Sequence, residues 1–118
     1  MVKSYRDLDI WDNGMRLAQL IYDVTKQFPD SEKYGLVSQL RRASVSVPSN
    51  IAEGFMRRST KEYIQFLYIS LGSIGEIDTQ FELARRFGFA KENEQLLDLI
   101  TTLRKQLYAL IRSLKRKI

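Results

Sequence analysis

Apolar residues recur at helical spacing along almost the whole chain, in four runs separated by short breakers. In the first, roughly Leu8 to Gln27, the residues Trp11, Met15, Ala18, Tyr22 and Thr25 follow steps of four and three, with Ile21 widening the stripe. Such steps hold side chains on one face of a 3.6-residue helix, so the run predicts an amphipathic helix. It stops at "FPDSE", where Pro29 disfavours a helical Phe28 and Asp30 or Ser31 can cap the second helix. The second run, from about Glu32 to Arg57, carries Leu36, Leu40, Ala43, Val47, Ile51 and Phe55. Pro48 falls inside it, where proline removes a backbone donor and crowds the carbonyl of Ser44, a cost of about 3 kcal/mol. The apolar register survives across Pro48, which predicts a kink rather than a break.

The third run opens at "STKE", Ser59 to Glu62, which has capping-box form. Its stripe is Tyr63, Phe66, Leu67, Ser70, Ile74, Ile77, Phe81 and Ala84, and Gly88 is placed to cap its C-terminus, with Arg85 and Arg86 complementing the helix dipole. Mid-helix Gly72 and Gly75, beside Ser70 and Ser73, predict close approach of a neighbouring helix. The fourth run is a heptad seam: Leu96, Ile100, Leu103, Leu107, Leu110 and Leu114. Leu97, Leu99, Tyr108 and Ile111 lie beside that seam, more apolar surface than one antiparallel neighbour needs, which predicts a subunit contact. Helices of this length joined by short turns predict one domain over residues 1–118: an all-α, antiparallel, up-down-up-down four-helix bundle, its second helix kinked near Pro48.

Composition supports helices and narrows the chemistry. Two prolines and six glycines leave little material for loops. The chain has no cysteine and no histidine, which removes the usual transition-metal ligands, the thiolate nucleophile and the commonest general base near neutral pH. No enzymatic activity, cofactor or metal is therefore expected. No apolar run reaches signal-peptide or membrane-span length, so a cytoplasmic protein away from membranes is the expectation.

The net charge of +5 is unevenly spread. From Leu99 onward the chain carries Arg104, Lys105, Arg112, Lys115, Arg116 and Lys117 with no acid. A second excess, Arg41, Arg42, Arg57, Arg58 and Lys61, faces only Glu53. Clustered cations suit a polyanion, and they also suit a solvated basic face. No helix-turn-helix signature or aromatic-rich platform accompanies them, so sequence-specific base reading is not supported.

Arg42, Ser46, Asn50 and Glu53 form a polar stripe at steps of four, four and three, and Ser73 and Glu76 sit on the third run. One reading is a site with Glu53 as base or acceptor; the other is a structural network of Ser46, Asn50, Glu53, Ser73 and Glu76 tying two helices together. The second is favoured, because nothing nearby supplies a nucleophile. A hydrolase or nuclease built on Glu53 and Glu76 is the weakest alternative, and carboxylate bundle metal sites use histidines absent here.

"FPDSEKYGLVSQLRRASVSVPSNIAEGF" and "FLYISLGSIGEIDTQFELA" together resemble the four-helix-bundle proteins encoded in intervening sequences of bacterial 23S ribosomal RNA genes. The shared motifs are Tyr34-Gly35-Leu36, Gln39-x-Arg41-Arg42-Ala43, Ser46, Asn50-Ile51-Ala52-Glu53-Gly54, Gly72-Ser73 and Glu76. A related branch, the accessory variability proteins of diversity-generating retroelements, forms a pentameric barrel that binds nucleic acid and a reverse transcriptase. The resemblance implies a four-helix bundle, a homo-oligomer with a pentamer favoured, nucleic-acid binding through a basic surface, and no catalytic residues. The alternative is a structural or adaptor module that docks a protein partner.

Overall fold

Each apolar run becomes one helix: α1 (Asp9–Thr25), α2 (Leu36–Phe55), α3 (Thr60–Arg86) and α4 (Glu94–Lys115). The computed structural model describes residues 2–118. Among them are these four α-helices, two short 3-10 turns (Tyr5–Asp7 and Asp30–Glu32) and no strand. Consecutive helices pack antiparallel, and α1 closes the ring against α4, giving a bundle of 46 × 24 × 20 Å around a continuous aliphatic core.

The face that α1 buries differs from the expected one. Ile10, Gly14, Leu17, Ile21 and Thr25 turn inward, whereas Met15 and Tyr22 stay 38% and 40% exposed. Both stripes obey helical spacing, so periodicity alone does not separate them. Packing does, because a Cβ on Gly14 would lie only 3.3 Å from the Pro48 ring, and the missing side chain is what lets α2 seat there. With that support α2 runs unbroken through Pro48. Just before the proline, the Ser70 hydroxyl of α3 donates to the Val47 carbonyl at 2.9 Å.

α2 starts at Leu36 rather than near Glu32. The chain turns at Gly35, and neither Asp30 nor Ser31 caps the helix. Instead the Glu32 carboxylate accepts from the Leu36 amide at 3.2 Å, supplying a partner for one of the free donors of the first turn. At α3 the Ser59 hydroxyl accepts from the Glu62 amide at 3.1 Å as expected, but the reciprocal half differs: the Glu62 carboxylate lies 3.1 Å from the Ser59 hydroxyl and not on its backbone amide. The C-terminus of α3 closes as expected. Gly88, at φ +82°, lets the Phe89 amide reach the Ala84 carbonyl (2.8 Å) and its own amide reach Arg85 (3.0 Å), the two bonds of a Schellman motif.

α4 is capped by Asn93, whose side chain accepts from the Leu96 amide at 3.0 Å. Its seam buries Leu96, Ile100, Leu103, Leu107 and Leu114, but Ile111 replaces Leu110 in the core. Gly72 and Gly75 reverse their expectation: a Cβ at either would meet nothing within 4 Å, so no helix of the chain approaches them closely. The close interhelix glycine contacts are instead at Gly14 and Gly54.

Candidate nucleic-acid interface

The cations separate into those already engaged within the fold and those left open. Arg41 is engaged. Its Nε donates to the Thr25 hydroxyl at 3.0 Å, its Nη2 to the Tyr22 carbonyl at 3.3 Å, and its guanidinium lies 4.5 Å from the Tyr22 ring centre. It thereby satisfies the carbonyl end of α1, where a positive charge is favoured. Arg57 bridges Glu53 (3.3 Å) and Glu62 (3.7 Å) over the Phe66 ring, so it holds the α2–α3 turn. Arg104 pairs with Asp78 of α3 at 3.3 Å, and Lys115 donates to the Tyr68 hydroxyl at 2.8 Å.

Arg42, Arg58, Lys61, Lys105, Arg112, Arg116 and Lys117 are exposed, and none has an acidic partner at ion-pair distance among the described residues. They do not form one patch. Arg42 lies about 20 Å along α2 from its last residue, Phe55, at about 1.5 Å per residue, whereas Arg57, Arg58 and Lys61 follow that end, so the second basic cluster of the sequence is spread along the bundle rather than gathered in one place. The Lys115–Tyr68 bond sets the end of α4 beside the first turns of α3. Arg58 and Lys61 therefore share an end of the molecule with Arg116 and Lys117, and Lys105 and Arg112 extend that surface along the outside of α4.

The polar network is narrower than expected. Asn50 donates to the Ser46 carbonyl (2.8 Å) and hydroxyl (2.9 Å), and the Ser73 hydroxyl crosses from α3 to the Ser46 hydroxyl at 2.8 Å. Glu53 does not join: it is half-exposed and turns to Arg57, one helical turn away, where it keeps its hydration and gains a charge partner. Glu76 borders the same α2–α3 groove as Arg42, Ser46 and Ser73, a space of about 510 Å³, without a hydrogen bond to the network. Glu53 and Glu76 are thus not brought together as a carboxylate pair, and no group of three or more metal-ligating side chains converges among the described residues. Burial pushes the Tyr63 hydroxyl above its ordinary range by disfavouring the phenolate.

Two groups carried no expectation as partners. Asp78, which fixes Arg104, lies on another helix and has no sequence signature. Tyr108, expected only as part of an apolar face, emerges 47% exposed in a groove of about 330 Å³ lined by Thr101, Arg104, Lys105 and Arg112. Its i−4, i−3 and i+4 spacing to three cations was visible in the chain, but its exposure was not.

Residues 6–109 match the family model described as 23S rRNA-intervening sequence protein, which covers most of the chain. The chain belongs to the 23S rRNA-intervening sequence protein family. This family's matched region includes all of the α2–α3 groove and α4 through Ala109. The fold of this intervening-sequence protein is also similar to a crystal structure at 1.70 Å of a protein of unknown function from the S23 ribosomal protein family of Bacteroides thetaiotaomicron VPI-5482. That similarity has 22% identity, 86% of this chain, 97% of that chain and a TM-score of 0.77. At that identity the likeness carries the fold. Among curated proteins, none matches this chain. No helix among the described residues is long and apolar enough to cross a membrane.

Proposed function

We propose that this intervening-sequence protein is a non-enzymatic, cytoplasmic, homo-oligomeric nucleic-acid-binding protein, a pentamer in the manner of the related branch of retroelement accessory proteins. The observation that carries the reading is the set of exposed cations without acidic partners that gathers at one end of the bundle and along α4. Phosphate contacts by such groups release condensed counterions, so affinity falls steeply as salt rises, with a slope set by the number of contacts.

Filter binding of the purified protein to structured RNA and duplex DNA across a salt series tests it. The expected result is retention at low salt, a steep salt slope, and a shallower slope in the combined Arg58→Gln, Lys61→Gln, Arg116→Gln and Lys117→Gln variant. Arg41→Gln serves as the contrast, since Arg41 is spent on α1: it lowers stability and leaves the slope unchanged. Absence of retention even at low salt removes the proposal. Light scattering tests the pentamer, and a monomer overturns it.

A second reading, an adaptor for a protein partner such as a reverse transcriptase, is favoured by the exposed Met15 and Tyr22 on α1. A pulldown that recovers a specific protein after nuclease treatment, from a chain with no affinity of its own for nucleic acid, would select this reading over the first.

A further inference from the structure

Two cross-helix bonds fix the register of α3 against α4: Arg104 to Asp78 at 3.3 Å and Lys115 to Tyr68 at 2.8 Å. Tyr108 lies one turn beyond Arg104 on the stripe that runs between these anchors. On α3 the matching stripe, Tyr68, Leu71, Gly75 and Asp78, runs the other way and brings Gly75 to the level of Tyr108. No side chain stands there, and a Cβ on Gly75 would meet nothing within 4 Å. The exposed tyrosine ring is therefore flanked by open space on the α3 side and by Lys105 and Arg112 in its own groove.

The state of the ring separates it from the other tyrosines on the outside of the bundle. Tyr22 is covered by Arg41 and Tyr68 by Lys115, at 4.5 and 5.3 Å from ring centre to cation. Tyr108 has no cation over its face among the described residues. A half-exposed aromatic ring with no cation stacked on it, set between free cations, asks for a partner that is planar and negatively charged together. A second copy of this face would bring the same positive charges and be repelled. An unpaired nucleotide has both properties, since its base offers a π-face and its phosphates offer the charge; in a duplex the base faces are already stacked on one another.

We propose that the outer face of α4 is a single-strand site in which an unpaired base stacks on Tyr108 while Lys105 and Arg112 hold the flanking phosphates. This rests on the nucleic-acid-binding reading above and adds that the preferred ligand is unpaired. Because every base has a π-face, the site is tolerant of sequence.

The test measures binding of a fluorescent oligouridylate and of an RNA duplex of equal length to the full chain and to Tyr108→Ala, Tyr108→Phe and the double variant Lys105→Gln, Arg112→Gln. Circular dichroism and light scattering accompany each variant. Loss of one stacked base corresponds to roughly 5- to 150-fold weaker binding. The expected result is a loss in that range for Tyr108→Ala on oligouridylate, little change on duplex, and near-complete retention in Tyr108→Phe. The double variant weakens oligouridylate binding with a shallower salt slope. If Tyr108→Ala binds oligouridylate as wild type does, or loses both ligands equally, the stacking site is overturned while the nucleic-acid reading stands. If Tyr108→Ala changes the size of the assembly, the face is a protein interface and the proposal falls. Failure of the wild-type chain to bind either RNA overturns the single-strand site, and failure to retain duplex DNA as well overturns both readings.

Discussion

Where α2 meets α3, a glycine is filled by its neighbours: a Cβ on Gly54 would lie 2.8 Å from the Phe66 Cβ, 3.0 Å from the Tyr63 ring and 3.2 Å from the Tyr63 carbonyl. Further along α3, a Cβ on Gly72 or Gly75 would meet nothing within 4 Å. The same residue type thus serves close packing in one place and leaves the helix surface bare in the other. Hydrogen bonding follows the division. The α2–α3 contact is crossed by the Ser70–Val47 and Ser73–Ser46 bonds, both from buried serines, whereas α3 and α4 are joined at their rim by Arg104–Asp78 and Lys115–Tyr68. Buried hydrogen bonds are costly to leave unmade, and an exposed rim ion pair such as Arg104–Asp78 contributes little. The α2–α3 contact is thus closely packed with buried hydrogen bonds, and the outer α3–α4 surface is joined only at its rim.

This contrast can be broken most forcefully at Leu67, which is fully buried on α3. Leu67→Ala is expected to destabilise by about 2–5 kcal/mol, the range for emptying a core leucine site. Chemical denaturation measures it, and a loss below about 1 kcal/mol would mean that the α2–α3 core collapses around the gap. Next comes Gly54→Ala. Crowding costs about 1–3 kcal/mol and helix propensity returns up to about 1, so a net loss is expected. Gly72→Ala and Gly75→Ala sharpen the comparison by having the opposite sign, each stabilising by up to about 1 kcal/mol, because the added methyl meets no atom. Equal signs at Gly54 and Gly75 in thermal melts would contradict the division between the two surfaces.

The smallest effect is electrostatic. The Glu82 carboxyl is held below the usual carboxylate range, first by its hydrogen bond with Arg86, against the opposing effect of desolvation, and then by the hydrogen bond and charge of Arg85 and the charge of Arg86. A lowered value in the folded state means stability that is present above the ordinary carboxylate range and fades as pH falls through the lowered value. Wild type is therefore expected to melt slightly above Glu82→Gln at neutral pH and together with it in strong acid. A gap that persists unchanged into strong acid would assign the difference to packing rather than charge.

Much of the fold was legible because each helix carries its own instructions. The α3 cap at Ser59, its end at Gly88 and most of the buried faces of α2, α3 and α4 followed from spacing and cap chemistry, which are local properties. The inward face of α1 was not legible, since two stripes fit one helix and the choice depends on Gly14 meeting Pro48. Among the candidate site residues, charge and spacing were visible, but whether a cation is free was not. Arg41, Arg57 and Arg104 look like Arg42, Arg58 and Lys105 in the chain, and only their neighbours in space separate them. Likewise Glu53 fits the polar stripe with Asn50 yet turns to Arg57, because exposure favours a partner one turn away over burial in the groove.

Four amphipathic helices, their order, most of their ends, the motifs of the intervening-sequence family and the absence of histidine and cysteine chemistry are all written in the chain. Those features depend on residues within a turn or two of each other, or on composition, and need no neighbour to act. Packing in three dimensions settled the rest: which glycines meet close neighbours, which arginines are already bonded, that one basic cluster is spread along the bundle, and that Tyr108 stands half-exposed among cations. Each of those depends on atoms brought together from different helices, and a one-dimensional pattern does not carry that distance.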